Sequence, residues 1–129
     1  MYYLVDSSVW VALFLDDDSQ HAKAVEVMSK IEESRIHVMY GVVLEVASIL
    51  ERKQSKDLAN KFIEYVLDKG FVTGSMVIAR TDMQTFLHES DRLSFVDVLL
   101  KDVALKQGWA LVSFDTKLLK SLEKAQKSP

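Results

Sequence analysis

Four acidic residues in this chain of 129 residues stand where a carboxylate disturbs a core rather than solvates a surface. Asp6 closes the apolar stretch Tyr2-Tyr3-Leu4-Val5, and Glu45 lies between Leu44 and Val46 in a largely apolar segment. Asp97 is the last residue of Ser94-Phe95-Val96-Asp97, just ahead of Val98-Leu99-Leu100, and Asp115 follows the strand-like run 109–114. Each has an ordinary explanation. Asp6 and Asp115 are good helix N-caps, Asp97 is the acidic end of a capping box with Asp in place of Glu or Gln, and Glu45 is an early-helix acid favoured by the macrodipole. What they share is a position at a junction between strand and helix. Carboxylates gathered there lose hydration and repel one another. The neighbouring hydroxyls Ser7, Ser8, Ser94, Ser113 and Thr116 cannot neutralise charge, whereas a hard divalent cation can. Oxygen-rich sites without cysteine suit Mg²⁺ or Mn²⁺, and the joint placement favours a metal cluster over four separate caps. Capping of the first helix can then fall to Ser7 or Ser8, which leaves Asp6 free.

Periodicity identifies the elements that must position these acids. A short buried strand leads into Asp6, and Val9 to Leu15 is long enough for a buried helix. Asp16-Asp17-Asp18-Ser19-Gln20 reads as a solvated turn. Residues 20–34 carry Ala22, Val25, Met28 and Ile31 at steps of three, with Glu26 and Lys30 as an i,i+4 pair. A strand is expected over Ile36–Tyr40, with Gly41 as punctuation, and a helix over Val42–Lys53 with Val43, Val46, Ala47 and Leu50 on one face. Ser55 starts the next helix, which shows Leu58, Phe62, Tyr65 and Val66 and ends at Gly70. A third strand is expected over 75–79, followed by a short helix capped by Thr81 or Asp82 and running through His88. From Ser94 to about Gln107 the pattern is apolar nearly all round, which predicts a buried helix that Gly108 ends. The run 109–114 is the last strand and Lys117–Lys124 the last helix, with a frayed tail from about residue 125. Alternating strands and helices with short connections predict an α/β fold, a central parallel sheet flanked by helices, in one domain over residues 1–129. In such a sheet all four acids fall at the carboxyl edge of the strands, where ligands bind.

Composition narrows the function. A net charge of −3, from 16 basic and 19 acidic residues, excludes a nucleic-acid binder held by overall basicity. There is no cysteine, hence no disulfide or thiolate site. No signal-peptide pattern opens the chain and no apolar run approaches a membrane span, so a cytoplasmic protein without a membrane partner is expected. The four glycines form no phosphate-cradling motif. An aspartyl phosphotransferase wants a second Asp two residues after the first, where this chain has Ser8. A receiver-like domain wants an acceptor Asp after a middle strand, where Tyr40-Gly41 stands.

Taken in order, Leu4-Val5-Asp6-Ser7-Ser8-Val9, Val43-Leu44-Glu45-Val46, Leu93-Ser94-Phe95-Val96-Asp97-Val98-Leu99-Leu100 and Leu111-Val112-Ser113-Phe114-Asp115 resemble the motifs of PIN-domain ribonucleases, most of all the compact VapC-type toxins of toxin–antitoxin pairs. The resemblance covers essentially the whole chain. It implies a PIN-like, Rossmann-like three-layer fold and a metal-dependent endoribonuclease that hydrolyses RNA by metal-activated water, leaving a 3′-hydroxyl and a 5′-phosphate. It makes Asp6, Glu45, Asp97 and Asp115 the catalytic residues and the ligands of one or two Mg²⁺ or Mn²⁺ ions, Asp6 and Asp97 foremost, with Ser8 and Ser113 in support. The partners it implies are RNA, a small antitoxin and a second copy of the chain, the interface being expected on the helices of residues 42–67. An RNA-processing nuclease without a toxin role and a non-catalytic domain of the same fold remain as alternatives. The chain departs from the family at Val98, Lys101 and Asp102, where small residues are common. Lys101 is expected to pair with Asp97 at i,i+4 rather than to touch phosphate, and Asp102, about 140° around the helix, stays outside the site. No substrate-binding residue stands out among Arg52, Lys53, Lys56, Arg80, Arg92, Lys117 and Lys120. Trp10 and Phe14 are expected in the core, and His21, His37 and His88 show no metal-ligand spacing.

Overall fold

Tyr3–Val5 form β1, the strand on which the sheet is centred; Leu4 and Val5 are fully buried. The structure, a computed structural model, describes residues 1–73 and 79–128. After β1 come α1 (Ser7–Phe14), α2 (His21–Ser29), a 3-10 turn (Glu33–Arg35), β2 (Ile36–Met39), α3 (Tyr40–Lys53) and α4 (Lys56–Lys69). The chain continues through β3 (Val72–Thr73), α5 (Ala79–His88), α6 (Phe95–Gln107), β4 (Ala110–Val112) and α7 (Thr116–Lys127). The four strands are parallel in the order β3-β2-β1-β4, with Tyr3 opposite both Ile36 and Ala110. The order reverses beside β1, which makes the β1/β4 boundary the switch point where an open α/β sheet forms its crevice. The helices pack as two groups, α1 to α4 and α5 to α7, giving the expected α/β architecture of a parallel sheet between helical layers. No helix among the described residues is long and apolar enough to cross a membrane.

The core is built where the apolar periodicity placed it. Trp10 is fully buried and meets Phe14, Phe62, Tyr65 and Phe71 at ring-centroid distances of 5.8–6.4 Å, mostly tilted or edge-on. Such pairings add to the area that the rings remove from water. Helix ends follow local chemistry. Ser55 accepts from Leu58 N at 3.1 Å, and Gly70 and Gly108 close α4 and α6 in the left-handed region, at φ of 65° and 70°, which a Cβ would strain.

Several expectations are corrected. Gly41 does not punctuate; it is the second residue of α3, and a Cβ there would meet Val96 Cγ2 of α6 at 3.7 Å. The buried face of α2 is set by Ala24, with Met28 and Ile31 beside it, while Val25 is exposed. α6 is not buried all round, since Phe95 and Leu105 are exposed and stacking on Phe86 covers only part of Phe95. The last strand spans only Ala110–Val112, because Ser113 and Phe114 turn toward the α7 cap. α7 extends past the expected Lys124 to Lys127. The strand expected over 75–79 falls almost wholly outside the described residues, and Ala79 itself opens α5.

Lys101 is the clearest departure. It does not pair with Asp97. Its ammonium is buried against the Glu89 carboxylate and donates to Ser121 Oγ at 2.9 Å. Ser121 donates in turn to Asp91 at 2.6 Å, and Lys124 closes the network on Asp91 at 2.8 Å. Burial pushes the Glu89 carboxyl up, but the Lys101 ammonium and the Asp91 N–H outweigh it and hold it below its ordinary value. The network ties α6 and α7 to the loop that leads into Ser94. Lys101→Met leaves the half-buried Glu89 without its cation, and urea unfolding at pH 7 is expected to show a loss of about 2 kcal/mol. The double variant Lys101→Met with Glu89→Gln is expected to recover part of that loss, because no buried charge is left unpaired.

Candidate active site

Asp6 stands at the carboxyl end of β1 and at the N-cap of α1 together. Its N–H donates to Val112 O at 2.9 Å, extending the β1/β4 ladder by one bond, and its carbonyl accepts the first amides of α1. Capping does not pass to Ser7 or Ser8, because the Asp6 side chain itself accepts from Ser7 N at 2.7 Å. The carboxylate is almost fully buried, yet it is held by hydroxyls from two segments. Ser8 Oγ donates to Oδ2 at 3.0 Å and accepts from Phe114 N at 3.0 Å. Ser113 Oγ donates to the same oxygen at 2.6 Å and accepts from Asp115 N at 3.0 Å. Both serines thus hydrogen-bond the Asp6 carboxylate. Ser7, expected only as a helix cap, does more: its hydroxyl donates to Glu45 Oε1 and lies 3.3 Å from Asp6 Oδ1. One hydroxyl has one proton, so Glu45 takes it. The signal was present in the sequence as a second hydroxyl directly after the acid.

The other three acids arrive on different elements. Glu45 lies in the second turn of α3, on the helix that leaves β2. Asp97 sits in the first turn of α6, its N–H capped by Ser94 Oγ at 3.1 Å. Asp115 is the N-cap of α7, and its Oδ1 accepts from Lys117 N and Leu118 N at 3.0 and 3.2 Å. All four acids line one cavity of about 620 Å³, together with Ser7, Ser8 and Ser94. Three of them belong to helix N-termini, whose partial positive charge favours an anion.

The cluster remains short of positive charge. Burial pushes the Asp97 carboxyl up to about 6, with Asp6 the next cause; the Ser94 hydrogen bond opposes the rise, and Asp115 and Glu45 add to it. Arg52 and Lys53 line the same cavity, but among the described residues neither pairs with any of the four. Oxygen donors, clustered negative charge and the absence of Cys suit a hard divalent cation. Donor capacity also suits one. Ser7 commits its proton to Glu45 Oε1, and the α7 amides occupy only Oδ1 of Asp115, so Glu45 Oε2 and Asp115 Oδ2 have no donor among the described residues. Among the described residues no three His, Cys, Asp or Glu side chains are already arranged to hold a metal ion.

The raised Asp97 pKa gives a signed expectation for cation-free protein. A carboxyl with a higher pKa folded than unfolded contributes stability that is full below the unfolded value, near 4, and lost as pH rises through about 6. Asp97→Asn removes the charge responsible. In chelator, its melting temperature is expected to exceed that of wild type at pH 7.5, with the gain shrinking between pH 6 and 4 and absent below 4. An equal difference at all pH values overturns the assignment of the strain to Asp97.

The fold recurs in a solved structure. In the crystal structure of VapC20 from Mycobacterium tuberculosis, a toxin that cleaves the sarcin–ricin loop, the fold superposes with a TM-score of 0.76 over 92% of this chain and 94% of that one, at 24% identity. That degree of identity carries the fold. No curated protein matches the sequence. A family model for the PIN domain matches residues 3–124, the span that holds all four acids and every strand, and the chain belongs to the PIN-domain family.

Proposed function

We propose that this protein is a metal-dependent endoribonuclease that hydrolyses RNA phosphodiester bonds and serves as the toxin of a toxin–antitoxin pair. The observation that carries the catalytic part is the convergence of Asp6, Glu45, Asp97 and Asp115 on one cavity at the carboxyl edge of a PIN-family sheet. Asp6 and Asp97 are the foremost ligands of Mg²⁺ or Mn²⁺, with Glu45 and Asp115 completing the set. A divalent cation held there supplies Lewis acidity, making water nucleophilic near neutral pH and offsetting charge on the phosphoryl oxygens. The chain's own residues do the positioning. Ser8 and Ser113 fix the plane of the Asp6 carboxylate from two segments, and Ser7 holds Glu45 on the same side. The N-termini of α1, α6 and α7 add fixed positive potential facing the phosphate.

The toxin role is supported by the likeness to VapC20, a toxin that acts on a defined RNA loop. The accompanying partners are a small antitoxin and a second copy of the chain, with the exposed Leu44 and Leu67 on α3 and α4 as apolar surface for the dimer. A cytoplasmic location fits an RNA substrate.

Cleavage of single-stranded RNA in Mg²⁺ or Mn²⁺, abolished by chelator, is the direct test. Asp6→Asn and Asp97→Asn are expected to abolish it with folding intact by circular dichroism, and unchanged cleavage in both sinks the reading. Ser113→Ala, which removes a hydroxyl behind the ligand Asp6, is expected to lower kcat/KM by about 10- to 100-fold. Growth arrest on expression, relieved by the small protein of the neighbouring gene, tests the toxin role; a cleaving enzyme without arrest is an RNA-processing nuclease instead.

A further inference from the structure

The cavity has a polarity that the carboxylate cluster alone does not explain. Glu45, Ile49 and Arg52 are spaced i, i+4, i+7 on α3, one stripe of the helix, and all three line the cavity. Arg52 therefore lies about 10 Å along the axis from Glu45, placed for a phosphate further along a strand. Lys53 stands beside it. The other polar lining residues, Asp18, Ser19 and Gln20 among them, are acidic or neutral, so Arg52 and Lys53 are the only cations on the described lining. Neither makes an ion pair among the described residues, whereas Lys30, Lys61, Lys69, Lys106 and Lys127 each do. Basic residues also end α4 and α7, where they complement the helix dipole. Facing the cavity and lacking an acidic partner distinguish the α3 pair.

We propose that the last turn of α3 is the anchor for the RNA backbone: Arg52, with Lys53, binds phosphodiesters flanking the scissile bond, and the strand runs from the carboxylate cluster along α3 over Ile49. This rests on the nuclease reading and gives that site a substrate direction. A polyanion entering a cavity ringed by carboxylates needs a local cationic grip, and guanidinium provides it in bidentate form. Ile49 offers apolar surface to the sugar or base between the two ends.

The test is steady-state cleavage of a single-stranded oligoribonucleotide by Arg52→Glu, Arg52→Lys and, as a charge-matched control outside the cavity, Lys127→Glu, at two salt concentrations. Arg52→Glu is expected to raise KM tenfold or more with kcat changed less than threefold, and to flatten the salt slope by about 0.7 for each phosphate no longer neutralised. Arg52→Lys is expected to recover part of the affinity, and Lys127→Glu to behave as wild type. Equal KM and salt slope in Arg52→Glu and wild type overturn the proposal while leaving the nuclease reading intact. Absence of wild-type cleavage instead removes the nuclease reading. In that event anisotropy of the labelled oligonucleotide on Asp6→Asn protein in Mg²⁺ decides: tenfold weaker binding on adding Arg52→Glu supports the anchor, and unchanged binding overturns it.

Discussion

A buried carboxylate surrounded by hydroxyls holds this structure's working edge together. Asp6 is nearly inaccessible, and an unpaired ion there would be prohibitive. The cost is offset by a backbone amide and by two serine hydroxyls that each accept an amide in turn, Ser8 from Phe114 and Ser113 from Asp115. The Asp6 side chain thus fastens the end of β1 to the segment between β4 and α7. Through Ser7 it also reaches α3. Three crossing segments are registered by one side chain, and the acids they carry are registered with it.

That fastening brings carboxylates from separate elements onto one cavity. Hydrogen bonding to the charged form favours it, whereas burial and like charge disfavour it. At Asp97, burial first and the neighbouring Asp6 next push the carboxyl up to about 6, and a bound cation would oppose both.

The far end of α6 is held by different means. Lys101 occupies a position in the third-acid helix where small residues would give plain helix packing, and it braces α6, α7 and the loop before Ser94 through Glu89, Ser121 and Asp91. The brace fixes the backbone that carries Asp97 and Asp115 without touching either carboxylate. Away from the site, the other edge of the sheet is closed by aromatic contact, His37 stacking on Trp109 at 4.1 Å and Tyr2 meeting both rings. His37 is held there by packing, not by metal-ligand geometry.

The sequence by itself determined the alternation of strands and helices, the aromatic and aliphatic core around Trp10, and the identity of the four acids, because these depend on local periodicity and on residues adjacent in the chain. Ser8 and Ser113 came from the resemblance to the PIN family, and the structure places both hydroxyls on Asp6 Oδ2. The sequence did not determine the phase of α2, where Ala24 rather than Val25 faces inward, since steps of three fit more than one face of a 3.6-residue helix. It misplaced Lys101, because i,i+4 spacing describes an isolated helix and a better partner lay on another segment, at Glu89. The hydrogen bond from Ser7 to Glu45, 38 residues apart, and the turning of the Glu45–Ile49–Arg52 stripe toward the other acids were decided only by the tertiary structure. Both depend on how α3 packs beside α1, and no local pattern encodes the distance between two helices.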